Sequence, residues 1–321
     1  MRYMLLFLLL LNGCSSIPFI SSDLPLVDIP LSVEQQEVYL SKSKPAQHFG
    51  FQVFPLPRGE VGLRGSARLH PNQRAQVAMS PTDPLLVPIM GKNKKNTALA
   101  LLDTASPISW LEFAYSRDLL AKFLSFRDQH FPYRGQRSTG GVNAYAALVH
   151  QLRIDQLFIE NIPIYVRMAT GSLGPQGRSL DEPQLKAVLG YDVLQLFSIV
   201  QIDFPRHMIR FSTTDSYTPN AMDLLAKATI LDHPQGGLVV EGALFGEKTP
   251  IVLDLAGAYA LARPDVQEPY TRQLSIDELV FRQIPTLPLP PGNLPYLGRE
   301  LLDECIITLC PQAGVVYIEK P

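Results

Sequence analysis

From about residue 83 onward the apolar positions come in short runs, at 85–90, 97–102, 144–154, 162–167, 197–202 and 208–211. The runs are rich in Leu, Val, Ile and Ala, and Gly, Pro, Asn or Asp bound them. Runs of this length between turn residues predict strands, and so an all-β fold. Helical spacing is confined to residues 112–126 and to short pieces at 193–196 and 301–304. The chain holds 28 prolines. Their dense group at 285–291 predicts a loop, because proline cannot donate to a strand ladder. Residues 15–82 are polar and proline-containing, with one strand-like piece at 49–54. They predict a tether that leads into the fold and can donate a strand to it.

The chain opens in a different manner. Arg2 is the sole early charge, and residues 4–11 form an apolar run too short to span a bilayer but suited to a secretory signal. The run ends in Leu11-Asn12-Gly13-Cys14, which matches a lipobox, in which the cysteine is acylated and becomes the mature N-terminus. Residues 1–14 are thus expected to be a lipoprotein signal peptide with Cys14 as the lipidation site. An ordinary cleaved signal with a chance cysteine is the plainer reading. Ser15, not an aspartate that would favour inner-membrane retention, follows the cysteine. The expected location is the cell envelope, lipid-anchored at the outer membrane and facing the periplasm.

Composition narrows the classes of function. With 46% hydrophobic and 18% charged residues the chain is globular, long enough for one large or two modest cores. A formal net charge of -2, with no basic run carrying interleaved aromatics, argues against nucleic acid as a partner. The six histidines are scattered and none belongs to a His-Glu-x-x-His motif, so no metal is expected. No P-loop, Gly-x-Ser-x-Gly elbow or dinucleotide glycine pattern occurs, and no organic cofactor is expected. If the residues between Cys305 and Cys310 are extended, the two Cα atoms lie about 16 Å apart, beyond the roughly 7 Å that a disulfide spans. Both are read as buried apolar residues, and a bend would leave a bridge open.

The informative feature is an internal repeat. Residues 85–91 followed by 97–103 read as a hairpin ending in Asp103. Residues 238–246 followed by 249–254 read as the same hairpin with a shorter turn, ending in Asp254. Downstream, residues 186–197 are echoed by 294–305: apolar residues reach a glycine, Gly190 or Gly298, and a helical turn follows. Two lobes are expected, 83–216 and 217–321, with the boundary near residues 214–220.

Each copy presents an aspartate at the end of an apolar strand, followed by small residues: Asp103-Thr104-Ala105-Ser106 and Asp254-Leu255-Ala256-Gly257. With the apolar-apolar-Gly element that comes later in each half, this resembles the pepsin and retropepsin families of aspartic proteases over residues 83–321. The resemblance implies a two-lobed, all-β aspartic-protease-like fold with a pseudo-twofold internal repeat. It implies a catalytic pair, Asp103 and Asp254, whose loops hold Thr104, Ala105, Ser106, Leu255, Ala256 and Gly257. Two adjacent carboxylates share one proton, because like charges at that distance cannot both ionise. Such a pair activates a water that attacks a peptide carbonyl. The implied partner is a peptide or protein substrate, the chain a monomer, and the membrane contact the N-terminal lipid alone. The families also carry a glycine-rich flap over the cleft, and Thr139, Gly140 and Gly141 lie where it should be, with Tyr145 on the strand after it. A plain hairpin turn at Gly140-Gly141 and a core role for Tyr145 are the alternatives.

The sequence departs from the families' pattern at Ala105 and Ala256, where they have glycine, and at Leu255, where they have a hydroxyl residue. These departures keep a second function open: a non-catalytic lipoprotein of the same fold that binds a peptide or protein partner in the envelope. An aspartate at a strand end can also cap a turn through its own side chain, and a β-fold unrelated to the aspartic proteases is a third reading. Asp192 and Asp203 read as surface or turn residues, and Trp110 as core.

Overall fold

The computed structural model describes residues 29–55, 61–65, 67–79, 85–91, 97–126, 129–130, 132–133, 144–170, 185–233 and 236–321. The fold is all-β, 53% strand and 12% helix, and contains two closed six-stranded barrels. The strands that build the barrels and the sheet between them are, in chain order, β1 (Arg74–Ala78), β2 (Leu86–Met90), β3 (Thr97–Leu102), β4 (Trp110–Glu112), β5 (Ala144–Ile154), β6 (Leu157–Arg167), β7 (Leu185–Leu189), β8 (Ile199–Asp203) and β9 (Met208–Ser212). The second half supplies β10 (Leu224–Leu231), β11 (Val239–Leu244), β12 (Glu247–Asp254), β13 (Leu261–Pro264), β14 (Tyr270–Ile276), β15 (Leu279–Leu289), β16 (Tyr296–Gly298), β17 (Ile306–Cys310) and β18 (Val315–Glu319).

The first barrel has the order β5-β2-β3-β7-β4-β6 and closes through the β5–β6 hairpin. The second has the order β14-β11-β12-β16-β13-β15 and closes through β14–β15. Each strand of the second barrel thus repeats the strand nine places before it. Directions repeat as well: β3 runs parallel to β7 as β12 does to β16, and β4 parallel to β6 as β13 does to β15. The remaining strands form a sheet shared by both halves, β10-β18-β17-β8-β9-β1, joined at its centre where Val200–Asp203 pairs with Ile306–Leu309. Its order reads the same from either end once strands nine apart are treated as equivalent. Residues 213–223, the expected lobe boundary, connect β9 to β10 across this sheet.

Local sequence explains the pairing. Equivalent hairpins turn on the same tetrapeptide pattern, Ile-Asp-Gln-Leu at 154–157 and Ile-Asp-Glu-Leu at 276–279. Asp155 and Asp277 take the left-handed conformation that the tight turn requires, with φ of 52° and 51°. Barrel strands carry the buried apolar side chains: Leu101, Leu102, Leu148 and Leu152 in the first, Ile251, Leu253, Leu274 and Ile284 in the second. Edge strand β1 alternates cleanly, with Ala75 and Val77 buried and Arg74, Gln76 and Ala78 exposed. The rings of Phe197 and Phe211 pack 5.2 Å apart where the first barrel meets the central sheet.

Three segments differ from the sequence reading. The expected helix over residues 112–126 is the short helix Phe113–Asp118, followed by a strand, Lys122–Phe126. Leu120 adopts φ 55°, which ends the helix, and the next residues bury Phe123 and Leu124 as a strand beside β5. The proline-rich stretch expected as a loop continues β15 to Leu289. Pro285 falls before pairing with β13 begins at Thr286, and Pro288 falls after pairing with β14 has ended at Pro285, so neither ladder needs their missing N–H. The segment expected as a tether is built into the first half from Ile29 onward. A helix, Val33–Leu40, opens with a Ser32–Gln35 capping box, and Leu40, Ala46 and Phe51 are buried in the main core. Cys310 is buried and Cys305 half-buried, both as free thiols.

The repeat glycines are packing requirements. A Cβ on Gly190 would lie 2.5 Å from the carbonyl oxygen of Ile108, and one on Gly298 would collide with the carbonyl of Tyr259. Gly246, by contrast, turns in open space. Gly190→Ala and Gly298→Ala are each expected to abolish the soluble folded chain, whereas Gly246→Ala costs only about 1 kcal/mol of backbone strain. Circular dichroism and denaturant unfolding of the three variants check this.

Candidate active site

Asp103 follows the last residue of β3, and Asp254 is the last residue of β12. Because β3 and β12 are equivalent strands, the two carboxylates emerge at the same place in their barrels. The loops after them are held alike. The Asp103 N–H donates to Leu189 at 3.0 Å, the carbonyl of Ser106 accepts from Tyr191 at 2.8 Å, and that of Gly257 accepts from Arg299 at 3.0 Å. Each carboxylate is braced by its own loop: Asp103 Oδ1 accepts the N–H groups of Ala105 and Ser106, both at 3.0 Å, and Asp254 Oδ1 accepts that of Gly257 at 2.9 Å. Both aspartates therefore close Asx-type turns, as the plainer sequence reading anticipated.

The loops also meet across the two halves. The buried hydroxyl of Thr104 donates to the Leu253 carbonyl at 2.6 Å and accepts the Leu255 N–H at 3.0 Å, flanking Asp254 on both sides. The Thr104 carbonyl accepts the Leu238 N–H at 2.7 Å. The reciprocal position is Leu255, whose side chain is fully buried and has no hydroxyl, so this bridge runs in one direction. Gly237, with φ 74°, packs so tightly that a Cβ there would lie 2.5 Å from the Ala105 carbonyl oxygen. The methyl of Ala105 joins Val239 and Val252 of the second barrel in a small apolar cluster. Neither Ala105 nor Ala256 has a positive φ, so alanine fits these turns without backbone strain.

Sequence reasoning missed Tyr259, whose hydroxyl donates to Asp254 Oδ2 at 2.6 Å. Burial foremost holds this phenol well above its ordinary pKa. The charge of Asp254 and the hydrogen bond to it add to the effect, and Tyr296 and Asp103 contribute further. One phenol thus senses both aspartates. The signal available in the sequence was Gly257, which offers no hydroxyl to Asp254, with an aromatic residue two places on.

Asp192 and Asp203, read as surface or turn residues, are turn residues, Asp192 half-buried and Asp203 buried. Asp203 is 1% exposed and accepts from Arg206 N and Nη1. Asp192 accepts the N–H and hydroxyl of Ser109 at 3.0 and 2.6 Å, and Ser109 Oγ accepts the Gly190 N–H at 2.9 Å, tying two sides of the Asp103 loop together. Burial pushes the Asp192 carboxyl up to about 6, against those hydrogen bonds. Ser106 serves Asp103 through its N–H and donates its hydroxyl to the Ile108 carbonyl at 2.8 Å. Trp110 is buried beside Tyr165. Tyr145 is half-buried on β5 and packs against the core. Thr139, Gly140 and Gly141 of the expected flap, and Cys14, lie outside the described residues.

Among the described residues no three His, Cys, Asp or Glu side chains cluster as metal ligands, and no helix is long and apolar enough to cross a membrane. No protein-family model matches the chain, and comparison with curated protein sequences finds no match.

Thr104→Val keeps the shape of the side chain but strands a buried carbonyl and a buried N–H, which is expected to cost about 2–4 kcal/mol of unfolding free energy. Thr104→Ser should retain most of the bridge, and a comparable loss in both variants in urea unfolding would contradict the role given to the hydroxyl. Asp192 sets a pH dependence of its own. Its carboxyl titrates at about 6 when folded and near 3.8 when unfolded, so the unfolded chain binds fewer protons between these values and stability falls as pH rises through them. Relative to Asp192→Asn, the wild-type melting temperature should therefore drop between about pH 4 and about pH 6.5, and calorimetry at the two pH values checks the sign.

Proposed function

We propose that this chain is an aspartic endopeptidase of pepsin/retropepsin-like fold, anchored by a lipid on Cys14 to the envelope membrane and facing the periplasm. The observation that carries the reading is the bridge of Thr104 between the loops of Asp103 and Asp254, two aspartates at equivalent ends of equivalent strands in the two barrels. The influence of both carboxylates on the Tyr259 phenol supports their nearness. In this reading the two carboxyls share one proton. The ionised member takes a proton from a water that attacks the peptide carbonyl, and the protonated member gives its proton to the carbonyl oxygen, leaving a tetrahedral diol. Substrate lies as an extended strand between the lobes. No metal or organic cofactor enters the chemistry.

The one-sided bridge supports a second reading. Leu255 gives no hydroxyl back to the first lobe, which is the loss expected where a fold is kept to bind a peptide and catalysis is no longer selected.

The two readings part in one assay. The full chain, in mild detergent, is offered an unfolded protein mixture from about pH 3 to about pH 8, beside Asp103→Asn and Asp254→Asn. Endopeptidase action predicts peptide products from the wild type and a loss of at least about a thousandfold in either variant. Absence of products at every pH from a correctly folded chain sinks the enzyme reading and leaves the binding protein.

A further inference from the structure

The two aspartates sit in loops of the same design, but the side chains around them differ. In the first loop the hydroxyl of Ser106 has a single proton, and it is committed to the Ile108 carbonyl at 2.8 Å. In the second loop the equivalent residue is Gly257, which has no hydroxyl, yet Asp254 receives a side-chain donor from Tyr259 at 2.6 Å. Tyr259 occupies the position equivalent to Ile108 in the repeat.

The space is arranged for that phenol. A Cβ on residue 257 would collide with Cε1 of the Tyr259 ring and lie 2.5 Å from Asp254 Oδ2. A hydroxyl residue at 257 and a tyrosine at 259 are therefore alternatives that compete for one volume. Tyr259 is 7% exposed, packs with Ala262 and Leu289, and its carbonyl accepts the Glu300 N–H at 3.2 Å, so ring and backbone are both held. A short hydrogen bond from a phenol to a carboxylate oxygen is made best by the charged carboxylate and favours it. Burial keeps the phenol protonated, and so a donor, far above neutral pH.

We propose that Tyr259 is a positioning residue for the second aspartate: it donates from the space that Gly257 leaves open, fixes Asp254 and favours its ionised form. With its ionised form favoured, Asp254 is suited to accept the proton of the attacking water. This assignment rests on the aspartic-peptidase reading, but the bond between Tyr259 and Asp254 is testable without it.

The test follows the carboxyl carbon of Asp254 by NMR in the full chain carrying Asp103→Asn, with and without Tyr259→Phe. With one carboxyl of the pair removed, the midpoint belongs to Asp254 alone. Loss of the phenol should raise it by on the order of one pH unit, and in the chain with Asp103 intact it should move the acid limb of kcat/KM upward by a similar amount while KM changes little. If Tyr259→Phe does not fold, Tyr259→Ala provides the second comparison and should raise the midpoint in the same direction. An Asp254 midpoint that stays put on removal of the phenol overturns the proposal, whatever the cleavage assay gives. A chain that shows the shift but cleaves nothing retains Tyr259 as the group that sets the charge of Asp254 and removes the peptidase reading instead.

Discussion

One buried hydroxyl holds the two halves of this molecule at the point where they matter to each other. Thr104 reaches out of the first barrel and occupies both the carbonyl before and the N–H after Asp254. A hydroxyl that donates and accepts in the same buried place has no freedom left, and each backbone group it satisfies would otherwise be a buried orphan. The strand-end position of Asp103 is thereby tied to that of Asp254 through a path of two residues. The close approach of Gly237 to Ala105 and the contact of Ala105 with Val239 and Val252 close the same interface with apolar packing.

The backbone obeys the twofold repeat more faithfully than the side chains do. Strand order, parallel pairs, Asx turns and the glycines Gly190 and Gly298 all recur, because each barrel must solve the same packing problem. The side chains at equivalent positions diverge: Thr104 corresponds to Leu255, Ser106 to Gly257, Ile108 to Tyr259 and Asp192 to Glu300. A proton-sharing pair benefits from such divergence, since two carboxyls in identical surroundings have no fixed division of acid and base roles. In the proposed peptidase, the Tyr259 donor and the one-directional Thr104 bridge would give the two carboxyls different surroundings.

Much of this was legible in the sequence, and the limits have physical causes. Apolar runs ending in aspartate marked β3 and β12 because barrel strands bury one face and stop where the chain must turn. Gly190 and Gly298 marked the crossing that a side chain would block. The Ile-Asp-Gln-Leu and Ile-Asp-Glu-Leu turns, which the sequence reading passed over, give the hairpins that close both barrels. Other features depend on tertiary contacts. Pro285 and Pro288 lie in a strand because neighbouring pairing stops beside each of them, which no local propensity encodes. The segment from Ile29 looks polar along the chain, and Val33 and Val38 do stay exposed, but Leu40, Ala46 and Phe51 are buried in the main core. Tyr259 was hidden because its role comes from an empty space left by Gly257.

The claim on which the rest turns is that Asp103 and Asp254 titrate as one unit, and carboxyl NMR of both residues in the wild-type chain, from about pH 2 to about pH 9, tests it most directly. A shared proton predicts two steps set well apart, each visible at both carboxyls, and a single step at Asp254 once Asp103 is replaced by asparagine. Two independent midpoints near the ordinary aspartate value, each felt at one residue only, would contradict it and reduce both side chains to caps of their own turns.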